Sequence, residues 1–110
     1  MKLGAHLSTQ GGYSKALERA VGIGGNCLQI FSSSPRSWKL ADPSRQEIEK
    51  FIAAKRQLKV EPVYFHASYL INLADSGRIG HLSKKSLINE LNLAAKMEIT
   101  GSIIHLGSFK

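Results

Sequence analysis

Four short runs rich in β-branched and other apolar residues punctuate the chain: Lys2 to Leu7, Cys27 to Phe31, Pro62 to His66 and Ser102 to Leu106. Each has the character of a buried strand. Their starts lie about 25, 35 and 40 residues apart, far more than a hairpin needs and enough for a helix that returns the chain to a parallel strand. The intervening stretches carry helical apolar spacing. In the first, Tyr13, Ala16, Leu17 and Ala20 fall on one stripe after Gly11-Gly12. The second opens with Pro43 and Ser44, places Glu47 in capping-box position, and turns Ile48, Phe51, Ile52 and Leu58 inward. The third is expected to start near Ser83 with Leu87, Ile88, Leu91, Ala94 and Ala95 on its inner side. The predicted order is β-α-β-α-β-α-β, an α/β fold with parallel strands.

A doubly wound sheet and part of a (β/α)8 barrel both fit this pattern. No G-x-G-x-x-G follows the first strand and no G-x-x-x-x-G-K-[ST] occurs, so neither nucleotide-binding fingerprint is present. Gly22, Gly24 and Gly25 come at a helix end, where a C-cap explains them. With 110 residues, 43% hydrophobic and 21% charged, the chain has the composition of one globular unit. A full barrel needs about 250 residues, so this chain supplies about half of one.

Fifteen Lys and Arg against eight Asp and Glu leave a net charge of +7, which favours a polyanionic partner, although the cations are spread from Lys2 to Lys110 without a block. The single cysteine, Cys27, excludes an internal disulfide and sits in an apolar run as a small buried hydrophobe. No segment approaches the roughly 18 apolar residues of a membrane span, and the start Met1-Lys2-Leu3-Gly4-Ala5-His6 lacks a signal-peptide apolar region, so a cytoplasmic protein is expected.

Three of the four histidines, His6, His66 and His105, fall at or near the carboxyl ends of proposed strands, the edge where α/β sheets and barrels bind ligands. Adjacent strands about 4.8 Å apart can bring imidazoles together on one metal ion. Taken singly, each reads first as a hydrogen-bonded structural residue. His81, in Gly80-His81-Leu82-Ser83, reads as a solvated residue ahead of a helix.

The run His66-Ala67-Ser68-Tyr69-Leu70-Ile71-Asn72-Leu73 closely resembles a signature of the endonuclease IV family, metal-dependent endonucleases that cut DNA at abasic sites on a TIM barrel. Three further segments agree in order and approximate spacing: Gly4-Ala5-His6-Leu7-Ser8 followed by Gly11-Gly12, then Phe31-Ser32-Ser33-Ser34-Pro35-Arg36-Ser37-Trp38, then Ile104-His105-Leu106-Gly107-Ser108. The resemblance covers essentially the whole chain. It implies that residues 1–110 form the N-terminal half of a TIM (β/α)8 barrel of the xylose isomerase-like superfamily, truncated after the fourth strand.

The resemblance also implies a site. Family members bind three metal ions, usually zinc, with manganese as an alternative; His66 and His105 match two ligands of one of them. Arg36 and Tyr69 match residues inserted into the DNA, and Leu70 matches one that packs on the bases beside the gap. The physics is consistent, since a guanidinium, a phenol ring and an apolar wedge can fill or border the space of a missing base in a kinked duplex. Ala67 stands where an acidic residue is often seen and Leu106 where proline is common, which puts the surroundings of the two ligands in question. His6 matches a family position without matching a ligand.

The expected activity is hydrolysis of the phosphodiester 5′ to an abasic site in double-stranded DNA, leaving a 3′-hydroxyl, as part of base excision repair. Two ligands of about nine do not make a trinuclear centre, so the 110 residues alone are expected to be inactive and to hold zinc weakly. A complete enzyme is expected to be a monomer, whereas the open half barrel is expected to self-associate or aggregate through its bare faces and strand edges. Two alternatives remain at this point: a sugar isomerase or epimerase barrel, against which Arg36, Tyr69-Leu70 and the charge speak, and a non-catalytic DNA-binding remnant.

Overall fold

The computed structural model describes residues 1–105 and Gly107. Its elements run β1 (Gly4–His6), α1 (Tyr13–Gly22), β2 (Cys27–Phe31), α2 (Arg45–Leu58), β3 (Val63–His66), α3 (Arg78–Lys96) and β4 (Gly101–Ile103). All neighbouring strands pair in parallel, in the order β1-β2-β3-β4. Sequential order without a reversal decides between the two architectures, because a doubly wound sheet reverses at a switch point and a barrel does not. This is the N-terminal part of a TIM-barrel pattern.

Alternation along the central strands sorts the two sheet faces. Leu28 and Ile30 of β2 and Val63 and Phe65 of β3 are buried in one cluster with Ala16, Leu17 and Ala20 of α1, Phe51 of α2, and Leu93, Ala94 and Met97 at the end of α3. The three helices therefore cover the same face. Phe51 and Phe65 are fully buried, each contributing about 2–3 kcal/mol relative to exposure. Gln29, Phe31, Tyr64 and His66 point to the opposite face, which no helix covers among the described residues.

The helix ends follow the predicted chemistry in part. Ser44 caps α2, its Oγ accepting the Glu47 N–H at 3.1 Å. Within α2, Phe51 is the fully buried apolar side chain, while Ile48 and Leu58 are partly buried against the core. After α1, Gly24 takes the left-handed conformation at φ 80°, and the Gly25 N–H returns to the Ala20 carbonyl at 2.8 Å, the expected glycine stop.

Two expectations need correction. Strand β1 is shorter than the run Lys2 to Leu7, and β4 begins at Gly101 and ends at Ile103, so His105 lies two residues past the strand; Leu106 is outside the described residues. Helix α3 starts at Arg78, because the Asp75 carboxylate accepts the Gly77 and Gly80 N–H groups at 3.0 and 2.9 Å and opens the helix earlier. His81 is accordingly inside α3, though exposed.

The inner face of α3 is also different. Its buried residues are Gly80, Ser83, Glu90, Leu93 and Ala94, whereas Ile88 is 61% exposed, Leu91 47% exposed, Ala95 exposed and Leu87 half-buried. The rotation is set by polar bonds. Ser83 Oγ accepts the Asn72 N–H at 2.8 Å, and the Glu90 carboxylate accepts the Ser32 hydroxyl at 2.5 Å and the Ser102 hydroxyl. Those ties hold the Ser83–Glu90 side against the strand ends and turn Ile88 and Leu91 away. No helix of the described residues is long and apolar enough to cross a membrane.

Candidate functional site

His66 closes β3, paired in register with Phe31 of β2 and Ile103 of β4. Its side chain lies on the uncovered sheet face because Val63 and Phe65 take the core positions of the alternating strand. His6 closes β1, opposite Gln29 in register. The turn of the chain after β4 brings His105 to the same edge. Gly107 serves this path: its φ is 93°, and a Cβ there would collide with the Asn72 side chain.

The rings form a connected cluster. Centroids of His66 and His105 are 5.5 Å apart, His66 and His6 5.9 Å, His66 and Phe31 5.5 Å, and His66 and Tyr69 6.3 Å. Phe31 also packs on His6 at 4.5 Å and on Tyr69 at 5.4 Å. Phe31 thus wedges His6, His66 and Tyr69 into fixed relative positions. That role was not legible in the chain, where Phe31 reads only as an end-of-strand apolar residue.

Hydrogen bonds distinguish the histidines. His66 Nδ1 lies 2.7 Å from the Ala67 carbonyl oxygen, which can only accept, so Nδ1 carries the proton and Nε2 presents its lone pair. The side chain at position 67 is not needed for this, since the backbone carbonyl does what an acidic neighbour would do. His6 is the reverse: its Nδ1 accepts from the Gln29 amide at 2.8 Å, leaving Nε2 protonated. The His6 pKa is held below the ordinary histidine value, first by desolvation and then by the neighbouring His66. The residue is exposed overall, with the Phe31 ring packed against it at a tilt of 60°.

The donor chemistry suits a metal at one place. Two imidazoles on one tetrahedral ion hold their ring centres roughly 5 Å apart, given metal–nitrogen bonds of about 2.0–2.1 Å, and His66 and His105 are at that spacing with a free Nε2 on His66. Among the described residues no group of three or more His, Cys, Asp or Glu is placed to hold an ion. The described residues thus bring together two candidate ligands and no third.

The remaining predicted residues occupy the two loops beside the rings. Arg36 lies on the loop between β2 and α2, exposed and without an ion-pair partner among the described residues. Tyr69 and Leu70 lie on the loop between β3 and α3, Tyr69 67% exposed and Leu70 half-buried. A cleft lined by His6, Leu7, Ser8, Thr9, Phe31, Ser33, Ser34 and Pro35 opens beside the Arg36 loop. The charge is less focused than the composition suggests. Across residues 7–12, 32–44 and 67–77 the cations are Arg36 and Lys39 and the acids Asp42 and Asp75, while most other Lys and Arg sit on the helices.

Behind the rings a polar clasp joins the elements. Tyr13 donates its hydroxyl to the Ser32 carbonyl, and the Ser32 side chain donates to buried Glu90 on α3. Burial, then the nearby Glu47 and Glu90 carboxylates, push the Tyr13 pKa up to about 12. Glu90 is buried, although its spacing in the sequence carries no signal that distinguishes it from an exposed glutamate.

No family model matches the chain. Among curated proteins it is 40% identical over 113 residues to a probable endonuclease 4 of Persephonella marina, covering 100% of this chain and 39% of that protein. It is 38% identical over 109 residues to endonuclease 4 of Thermus thermophilus, covering 97% of this chain and 40% of that one. The fold superposes on the crystal structure of endonuclease IV from Thermus thermophilus with a TM-score of 0.94 and 36% identity, covering 100% of this chain and 42% of that chain. The chain spans about two fifths of the length of these relatives. Matched along its entire length in both sequence and fold, the chain belongs to the endonuclease IV family.

Proposed function

We propose that these 110 residues supply the amino-terminal strands of a zinc-dependent DNA repair endonuclease that hydrolyses the phosphodiester 5′ to an abasic site and leaves a 3′-hydroxyl. The observation that carries this reading is the His66–His105 pair at 5.5 Å, with the His66 Nδ1 proton committed to the Ala67 carbonyl. His66 through Nε2 and His105 would hold one ion. Bound there, zinc supplies Lewis acidity toward a phosphoryl oxygen and a source of hydroxide near neutral pH.

The protein's own groups do the positioning. The Ala67 carbonyl keeps the His66 ring in one tautomer, and Phe31 keeps it in one orientation. Arg36, Tyr69 and Leu70 engage the damaged duplex from the two loops, the guanidinium and phenol filling space left by the missing base and the leucine bordering it. His6, which lines the adjoining cleft, would offer its Nε2 proton to a backbone phosphate. A cytoplasmic location and double-stranded DNA as partner follow from this reading.

Two histidines do not complete a hydrolytic centre, so the 110 residues alone bind without cutting. The test uses duplexes with and without one abasic site. The chain is expected to prefer the damaged duplex, with affinity that falls steeply with salt. Joined to the remaining strands of a family barrel, it is expected to nick the damaged strand on the 5′ side in a chelator-sensitive reaction. Equal binding to the two duplexes, or chelator-insensitive nicking, would contradict the reading.

A further inference from the structure

The loops that carry Arg36 and Tyr69 are built alike. The Ser37 N–H donates to the Ser34 carbonyl at 3.3 Å, closing a four-residue turn with Pro35 and Arg36 at its apex. Proline suits the first apex position because its φ is already set. The Ile71 N–H donates to the Ser68 carbonyl at 3.2 Å, closing a second turn with Tyr69 and Leu70 at its apex. Ile71 is buried and anchors this turn to the body of the fold.

Ser68 joins the two turns through one atom. Its Oγ donates to the Pro35 carbonyl oxygen at 2.5 Å and itself accepts the Leu70 N–H at 3.1 Å. The Pro35 carbonyl belongs to the peptide group that leads into Arg36, so fixing it fixes the base from which the guanidinium extends. Two unlinked turns would have to be ordered against each other on binding, at about 0.5–1.5 kcal/mol for each immobilised long side chain. A linked pair meets the duplex with that arrangement already made.

Resting on the DNA-binding reading above, we propose that Ser68 is a positioning residue: its hydroxyl locks the Arg36 turn to the Tyr69-Leu70 turn and sets the separation at which the three side chains enter a damaged duplex. Binding to intact duplex needs only charge attraction to phosphates, and no fixed separation of the apices. Ser68 therefore acts on lesion preference and not on general affinity.

The experiment measures the affinity of the chain for a duplex containing a tetrahydrofuran abasic analogue and for its intact counterpart, at one salt concentration, with thermal unfolding as a folding control. Ser68→Ala is expected to lower the preference for the damaged duplex by about fivefold, the size of one lost hydrogen bond, with intact-duplex binding unchanged and the unfolding temperature lowered by about 5 °C, so that the chain stays folded at the binding temperature. Ser68→Thr is expected to keep the preference, since it keeps the hydroxyl. Three results would overturn the inference alone: a Ser68→Ala preference equal to wild type, a parallel loss on both duplexes, or a Ser68→Thr variant as impaired as Ser68→Ala. A wild-type chain without preference for the damaged duplex would overturn the proposed function, and this inference with it.

Discussion

His6 and His66, with ring centres 5.9 Å apart on neighbouring strand ends, carry their protons on opposite nitrogens: His66 on Nδ1, donated to the Ala67 carbonyl, and His6 on Nε2, because its Nδ1 accepts from Gln29. The difference assigns the two rings different work. His66 keeps a lone pair on Nε2, while His6, which lines the adjoining cleft, keeps a donor there. Long-range nitrogen–proton correlation spectra at neutral pH are expected to show one ring in each tautomer. Both rings in the same tautomer would break the assignment.

The polar clasp behind the rings should be costly to cut. Glu90 is buried and accepts from Ser32 and Ser102, so Glu90→Ala leaves two half-buried hydroxyls without their acceptor. Denaturant unfolding is expected to show a loss of about 3 kcal/mol. Glu90→Gln keeps an acceptor and a similar shape, and should cost about 1 kcal/mol. Equal stabilities of all three proteins would show that the clasp does not hold α3.

Tyr13 makes stability sensitive to alkali in a definite direction. Its folded pKa is about 12 against an ordinary value of 10.0, so above pH 10 the unfolded chain gives up the phenol proton while the folded chain keeps it. The unfolded state then binds fewer protons, and stability falls as pH rises. The contribution is present in full below pH 10 and is lost between pH 10 and about pH 12. Tyr13→Phe is expected to be less stable by about 1 kcal/mol at pH 7, from the lost hydrogen bond to Ser32, and to converge on wild type above pH 10. Parallel curves would contradict the assignment.

Much of this architecture was legible before the fold was seen. Tyr13, Ala16, Leu17 and Ala20 repeat at helical spacing and are all buried, and the four strand runs pair in parallel as their separations required. Periodicity left the strand order open, because it records which face is apolar and nothing about which strand lies beside which; the barrel order came from the motif resemblance and is the order found. Ile88 and Leu91 misled for a related reason: apolarity pointed them inward, while Ser83 and Glu90 set the rotation of α3 through bonds to residues distant in sequence. His66, Arg36 and Tyr69 were picked out by their motifs, but Phe31 and Ser68, which hold them, act through geometry that no spacing encodes.

The apolar ridge of Ile88 and Leu91, together with the uncovered sheet face, predicts concentration-dependent association of the isolated chain. Sedimentation velocity over a tenfold dilution is expected to show species larger than a monomer at the upper end. Ile88→Lys with Leu91→Glu should reduce that association and change monomer stability by less than about 0.5 kcal/mol, since both positions are exposed. A monomer at every concentration would contradict the prediction.

The pairing of His66 and His105 on one ion is tested most directly by titrating the chain with zinc while following the imidazole nitrogens. The expected result is weak binding in which His66 Nε2 and the His105 ring shift together, His6 Nδ1 keeps its bond to Gln29, and His66→Ala or His105→Ala abolishes the change. Zinc that shifts His6 instead, or binds the two alanine variants as it binds wild type, would contradict the assignment of these residues to the metal.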